Sequence, residues 1–156
     1  MTTIGTLKHL SAASLSELIL AQKTTGDPAI AIIDVRDDDY IGGHIKGAKN
    51  FPSRTLDVMM PTLVRQLQNK ETVVFHCALS QQRGPSAALR YMRERERMFP
   101  ASETKLVAGD KTEQKPAEQK VYVLDRGFVG WQEEYGEDER LTEGYRKELW
   151  KDGYWD

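Results

Sequence analysis

The chain has 156 residues, 39% of them hydrophobic and 29% charged, with a net charge of −2. Those totals suit one soluble domain with a core of its own, and the interspersed charges leave no basic field for nucleic acid or an anionic membrane. The single cysteine excludes an internal disulfide and a cysteine-rich zinc site, so no metal is expected, and a lone thiol suits a reducing compartment. Residues 1–5 lack the basic start of a secretory signal, and the apolar run from Ala29 to Ile33 is too short to cross a bilayer. The expected location is cytoplasmic or nuclear.

In chain order, Ser11 to Lys23 reads as a helix, with Ser11 or Ser14 as its cap and Leu15, Leu18 and Ile19 at helical spacing. Gly26-Asp27-Pro28 turns the chain. Ala29 to Val35 is a continuous apolar, β-branched run, the pattern of a strand covered on both faces. Asp37 to Asn50 is polar and glycine-rich and reads as loop. Leu56 to Leu67 reads as a helix in which Pro61 stands near the start or divides it. Thr72 to His76 is a second buried strand. Gly84-Pro85-Ser86 opens a further helix, since proline fits the first helical position, with Ala87, Ala88, Tyr91 and Met92 on its apolar face. Ser102 to Lys120 is poor in large apolar residues and is expected to be a flexible insertion. Val121 to Leu124 restores strand character and Phe128 to Tyr135 reads as a helix. The extension 136–156 carries Trp150, Tyr154 and Trp155, part of which should pack back on the domain. Alternating strands and helices predict a single α/β domain with a mainly parallel central sheet flanked by helices.

One stretch carries chemistry. Cys77 stands at the end of a buried strand, five residues follow (Ala78, Leu79, Ser80, Gln81, Gln82), and Arg83 precedes a helix start. Ligands of open α/β sheets sit at the carboxyl ends of strands. A loop ending at a helix N-terminus turns amide N–H groups inward to hold an anion, and the fork of Arg83 matches a tetrahedral oxyanion. The same positive field is expected to favour the Cys77 thiolate and hold its pKa below that of a free thiol. A bland alternative is a buried, inert cysteine beside a surface arginine.

With these residues the chain resembles the rhodanese-fold cell-division-cycle phosphatases and their small fungal and plant relatives, some of which reduce arsenate. Three blocks carry the resemblance. Ile33-Asp34-Val35-Arg36, Tyr40, Gly42-Gly43-His44-Ile45 and Gly47-Ala48 form the first. His76-Cys77 through Arg83-Gly84-Pro85-Ser86 is the second. Val121 to Leu124 with Gly127-Phe128 and Trp131 is the third. In that family a sulfurtransferase loop is one residue shorter, so the loop here implies a phosphate- or arsenate-sized ligand. The chain departs from the cell-cycle phosphatases in having Ala78 where they carry a glutamate, and from the plant relatives in having no further cysteine.

Asp34, Arg36 and His44 belong to a signature but are read as supports that fix the turn after the strand. His76 alternates away from the nucleophile and is expected to orient the loop from behind. Ser80 is read as pointing into the loop, its hydroxyl steadying a thiolate or leaving thiol. Asp37, Asp38 and Asp39 read first as a solvated loop and only then as general-acid candidates, as do Glu133 and Glu134. Trp131 is read as core, and His9 has no visible partner.

Two activities fit the loop. In arsenate reduction Cys77 attacks arsenate and an external thiol, glutathione with or without glutaredoxin, resolves the adduct, because the chain has no second cysteine. That thiol is expected to enter an open, shallow site. In phosphomonoester hydrolysis the same thiolate forms a phosphocysteine that water releases. The reading from outside these classes is a non-catalytic rhodanese module. No bound cofactor is expected.

Overall fold

The structure is a computed structural model and describes residues 6–22, 29–100 and 119–150. Strands and helices alternate through the chain: β1 (Lys8–Leu10), α1 (Ala12–Ala21), β2 (Ile30–Asp34), β3 (His44–Ile45), β4 (Lys49–Asn50), a 3₁₀ turn (Ser53–Thr55), α2 (Leu56–Gln66), β5 (Thr72–His76), α3 (Arg83–Met98), β6 (Lys120–Leu124), α4 (Gly127–Tyr135), β7 (Thr142–Glu143) and α5 (Lys147–Trp150). Five strands form one sheet in the order β1-β6-β5-β2-β4, every pair parallel, and β3 pairs antiparallel with β7 apart from it. This is the single rhodanese-type α/β domain that the sequence predicts.

The two faces of the sheet follow from strand alternation. Ala31, Ile33 and Val35, with Val73, Phe75 and Cys77, face Leu56, Leu63, Val64, Ala87 and Tyr91 of α2 and α3. Ile30, Ile32, Val74 and Leu124 face Leu15, Phe128, Trp131 and Trp150 on the side of α1 and α4. Cys77 and His76 therefore belong to opposite faces. Ser11 caps α1 by accepting from the Ser14 amide at 3.0 Å. Trp131 is fully buried, and its indole N–H donates to Thr142 Oγ1 at 2.9 Å. Trp150 packs back as expected, its indole N–H donating to the Gly42 carbonyl at 3.0 Å. Tyr154, Trp155 and residues 101–118 of the expected insertion lie outside the described residues. Of the end of that tract, Lys120 opens β6, and Gln119 bridges Tyr91 Oη to the carbonyls of Leu67 and Lys70.

Several local expectations change. Pro61 neither starts nor divides α2: it is the sixth residue of a continuous helix, which Leu56, Met60, Leu63 and Val64 bury on either side of it. Pro85 is the third residue of α3, where its missing N–H is still one of the four that have no intrahelical acceptor. The stretch 37–50 holds two short strands. Lys8–Leu10 adds the edge strand β1, which brings His9 to Asp125, the two side chains 2.9 Å apart, so His9 does have a partner. No helix among the described residues is long and apolar enough to cross a membrane.

Candidate active site

β2 and β5 are neighbours in the sheet, and the chain segments that leave their carboxyl ends build the site. The first segment is structural. Arg36 and Asp34 are both fully buried, with Arg36 Nε and Nη2 on the Asp34 carboxylate at 2.7–3.0 Å. Nη2 also donates to the Gly43 carbonyl and Nη1 to that of Ile41, so every nitrogen of the guanidinium is bound. Its plane is sandwiched by Phe128 and Tyr40, with centroids 4.4 and 5.0 Å from Cζ. Burying such a pair is costly, and the full set of partners offsets that cost. His44 stacks on Tyr40, its Nε2 3.1 Å from Glu143 Oε1. Asp34, Arg36 and His44 thus fix the turn, as the sequence reading holds.

The second segment is the loop from Cys77 to Arg83. The carbonyl of Cys77 accepts from the Phe128 amide at 3.0 Å, and that of Ala78 from the Val129 amide at 2.9 Å. The loop is therefore docked on the N-terminus of α4. In a planar trans peptide the N–H points opposite the C=O, so the amides of Ala78 and Leu79 face away from α4. Gly127 makes this docking possible. It has φ +54°, and a Cβ there would sit 2.4 Å from the Cys77 carbonyl oxygen. His76 Nδ1 lies 3.0 Å from the same carbonyl, and its Nε2 is 3.7 Å from Asp34 Oδ2. His76 sits behind the loop, as expected, and burial pushes its imidazole below the ordinary 6.5, so it is neutral at physiological pH.

Ser80 adopts φ +57°, unusual for a residue with a side chain. That conformation turns its amide onto the Cys77 sulfur, N to Sγ 3.2 Å, while its hydroxyl accepts from the Cys77 amide at 3.4 Å. The expectation of a hydroxyl facing the sulfur is thus corrected: the amide meets it. Gln82 provides no side-chain cap for α3, and the amides of Leu79, Gln81 and Gln82 have no partner among the described residues. These are donors suited to an anion.

Arg83 is the first residue of α3, about one third exposed, and close enough to Cys77 to interact with it electrostatically. Its Nη1 and Nη2 meet Asp39 Oδ1 and Oδ2 at 2.9 and 2.7 Å, and Nη1 meets Asp37 Oδ2 at 3.4 Å. The hydrogen bond from Arg83 holds the Asp39 carboxyl at about 2. For Asp37, burial acts upward, but bonds from Ser53, the Arg54 amide and Arg83 outweigh it and the net direction is down. Neither carboxyl retains a proton at neutral pH, which removes both as general acids. Asp38 points outward to Arg54 at 2.9 Å, and Glu133 pairs with Arg126 at 2.8 Å; neither makes a hydrogen bond to the loop. Glu134 lines a surface groove with Glu133, Glu137, Tyr145 and Lys147. The sequence reading missed the Asp39–Arg83 pair, since 44 residues separate the partners.

Cys77 itself is only 3% exposed, which corrects the expectation of an open, shallow site. The loop wraps the sulfur, and the exposed members of the site are Arg83 and Leu79.

A cysteine at the end of a central parallel strand, a loop of amides and an arginine at the next helix start define a rhodanese-type domain with an oxyanion-sized loop. Residues 14–134 match the rhodanese-like domain family, and the chain belongs to it. It is 41% identical over 129 residues to arsenate reductase 2.1 of rice, covering 81% of this chain and 68% of that protein. It is 32% identical to the CDC25-like phosphatase YCH1 of Saccharomyces cerevisiae, over 96% of this chain and 97% of the relative. Among solved structures, a yeast protein tyrosine phosphatase of the rhodanese family superposes with a TM-score of 0.70 at 31% identity, covering 96% of this chain and 99% of that one.

Proposed function

We propose that the protein is a cysteine-thiolate enzyme acting on a tetrahedral oxyanion, and that it reduces arsenate at the expense of an external thiol. The observation that carries this reading is the joint placement of the Cys77 sulfur, the Ser80 amide at 3.2 Å and the Arg83 guanidinium in one loop. The similarity to a rice arsenate reductase supports it. The roles of the residues are as follows. Arg83 and the amides of Leu79, Gln81 and Gln82 hold the oxyanion. Ala78 and Gly127 let the loop close on α4. The Cys77 thiolate attacks arsenic, forms an S–As bond and displaces one oxygen as hydroxide or water. A glutathione-type thiolate then attacks the Cys77 sulfur, the S–As bond pair passes to arsenic, and As(V) leaves as As(III). The resulting mixed disulfide is reduced by a second equivalent of thiol, delivered directly or through a glutaredoxin-type carrier. Two thiols are oxidised to one disulfide and arsenic gains two electrons.

Phosphomonoester hydrolysis is the second reading, favoured by the similarity to the yeast phosphatase over nearly both chains. With Asp37 and Asp39 ionised, neither carboxyl protonates an alkoxide leaving group. Hydrolysis at this site therefore suits aryl phosphates, whose leaving oxygen needs less help. Arsenate brings its own protonated oxygen and meets no such demand. The test is a side-by-side assay of arsenate reduction with glutathione and of aryl phosphate hydrolysis, with Cys77→Ser as control. The expected result is thiol-dependent arsenate reduction that Cys77→Ser abolishes. Activity that survives Cys77→Ser, or multiple arsenate turnovers without any added thiol, would overturn the reading.

A further inference from the structure

The donor inventory of Arg83 contains more than an anion contact. A guanidinium offers five N–H donors in a fixed plane. The Asp39 carboxylate takes one hydrogen from each Nη across the end of the plane, at 2.9 and 2.7 Å. Asp37 approaches the outer side of Nη1 at 3.4 Å. Nε makes no hydrogen bond among the described residues. The two donors that remain, Nε–H and the second hydrogen of Nη2, lie side by side on one edge of the plane. That edge is a fork able to engage two oxygens of one tetrahedral anion.

The carboxylates are themselves held. Asp39 Oδ1 accepts from the Asp37 amide at 3.0 Å. Asp37 accepts from Ser53 Oγ at 2.5 Å and from the Arg54 amide at 3.1 Å. The 3₁₀ turn before α2 thus fixes Asp37, Asp37 fixes Asp39, and Asp39 fixes the plane of Arg83. Both aspartates are largely buried, with side-chain exposures of 19% and 18%, whereas Asp38 between them is 86% exposed. A solvated acidic run has no reason for that alternation.

We infer that Asp39 is a positioning residue for the reaction, occupying the outward donors of Arg83 so that one edge of the guanidinium is aimed at the oxyanion. The inference rests on the oxyanion reading of the loop. It also has an electrostatic counterpart. A second negative charge beside Arg83 repels an incoming dianion, so Asp39 does not strengthen binding. What it supplies is orientation, and orientation errors of about 1 Å cost up to about a hundredfold in rate.

The experiment compares kcat and KM for arsenate, with glutathione as reductant, in the full chain and in Asp39→Asn, Asp39→Glu and Asp38→Asn. The two Asn variants lose the same charge, but only one releases Arg83. The expected result is a kcat lowered about tenfold in Asp39→Asn with no rise in KM, a larger kcat retained by Asp39→Glu, and wild-type kcat in Asp38→Asn. A raised KM with unchanged kcat, or an equal fall in both Asn variants, overturns the inference. So does an unchanged Asp39→Asn enzyme. Protection of Cys77 from iodoacetamide by arsenate is measured in parallel on the wild-type protein. A wild-type protein that is inactive and unprotected overturns the oxyanion reading and this inference with it. An active, protected wild type with a normal Asp39→Asn variant overturns this inference alone.

Discussion

Two arginines leave the carboxyl ends of neighbouring strands, and both are paired with aspartate, yet they do opposite work. Arg36 after β2 is fully buried, stacked between Phe128 and Tyr40, and bound at every nitrogen. Arg83 after β5 is about one third exposed and keeps one edge free of partners. A buried charge whose donors are all used internally holds the fold and has nothing left to offer a ligand. A half-buried one that is held at one edge only is stabilised and still presents a fork. The difference between a structural and a functional ion pair in this domain is therefore which donors remain.

The largest expected effect that sharpens this contrast is on stability. Arg36→Ala leaves the fully buried Asp34 carboxylate without its partner, and removing one member of a buried pair costs about 3–5 kcal/mol. Urea unfolding should show that loss, with Arg83→Ala nearly neutral on the same axis. Equal destabilisation by the two substitutions would break the comparison.

A smaller effect concerns His76, which faces Asp34 from β5. Burial holds its folded pKa below 6.5. The unfolded chain takes up a proton as pH falls through about 6.5 while the folded chain does not. Stability is thus complete above that pH and declines below it, toward the folded value, by up to about 1.4 kcal/mol at pH 5.5. His76→Gln should flatten the slope of urea midpoint against pH between 7 and 5.5 relative to wild type. Parallel slopes would show that His76 takes up its proton in the folded state as readily as in the unfolded chain.

The same contrast explains what the sequence discloses. β2, β5 and β6 are legible because their residues are buried on both faces and read as unbroken apolar runs. Edge strand β1 and the two-residue strands are not, since Lys8 and His9 are exposed and three residues carry no period. Cys77 and Arg83 announce themselves because strand, loop and helix start are contiguous. The partner of Arg83 is illegible, because Asp39 reaches it across 44 residues and looks like solvated loop in its own neighbourhood. Ser80 was placed in the loop correctly, but only its positive φ reveals that the amide and not the hydroxyl meets the sulfur.

The most direct test of the central claim is an equilibrium titration of arsenate into Cys77→Ser, which keeps the loop and stops the chemistry, beside the Cys77→Ser/Arg83→Lys double variant. Lysine preserves the charge and loses the fork. The account predicts saturable binding to Cys77→Ser that weakens at least about tenfold in the double variant, a loss of about 1.4 kcal/mol. Equal affinities, or no binding by Cys77→Ser, would contradict the assignment of this loop as an oxyanion site.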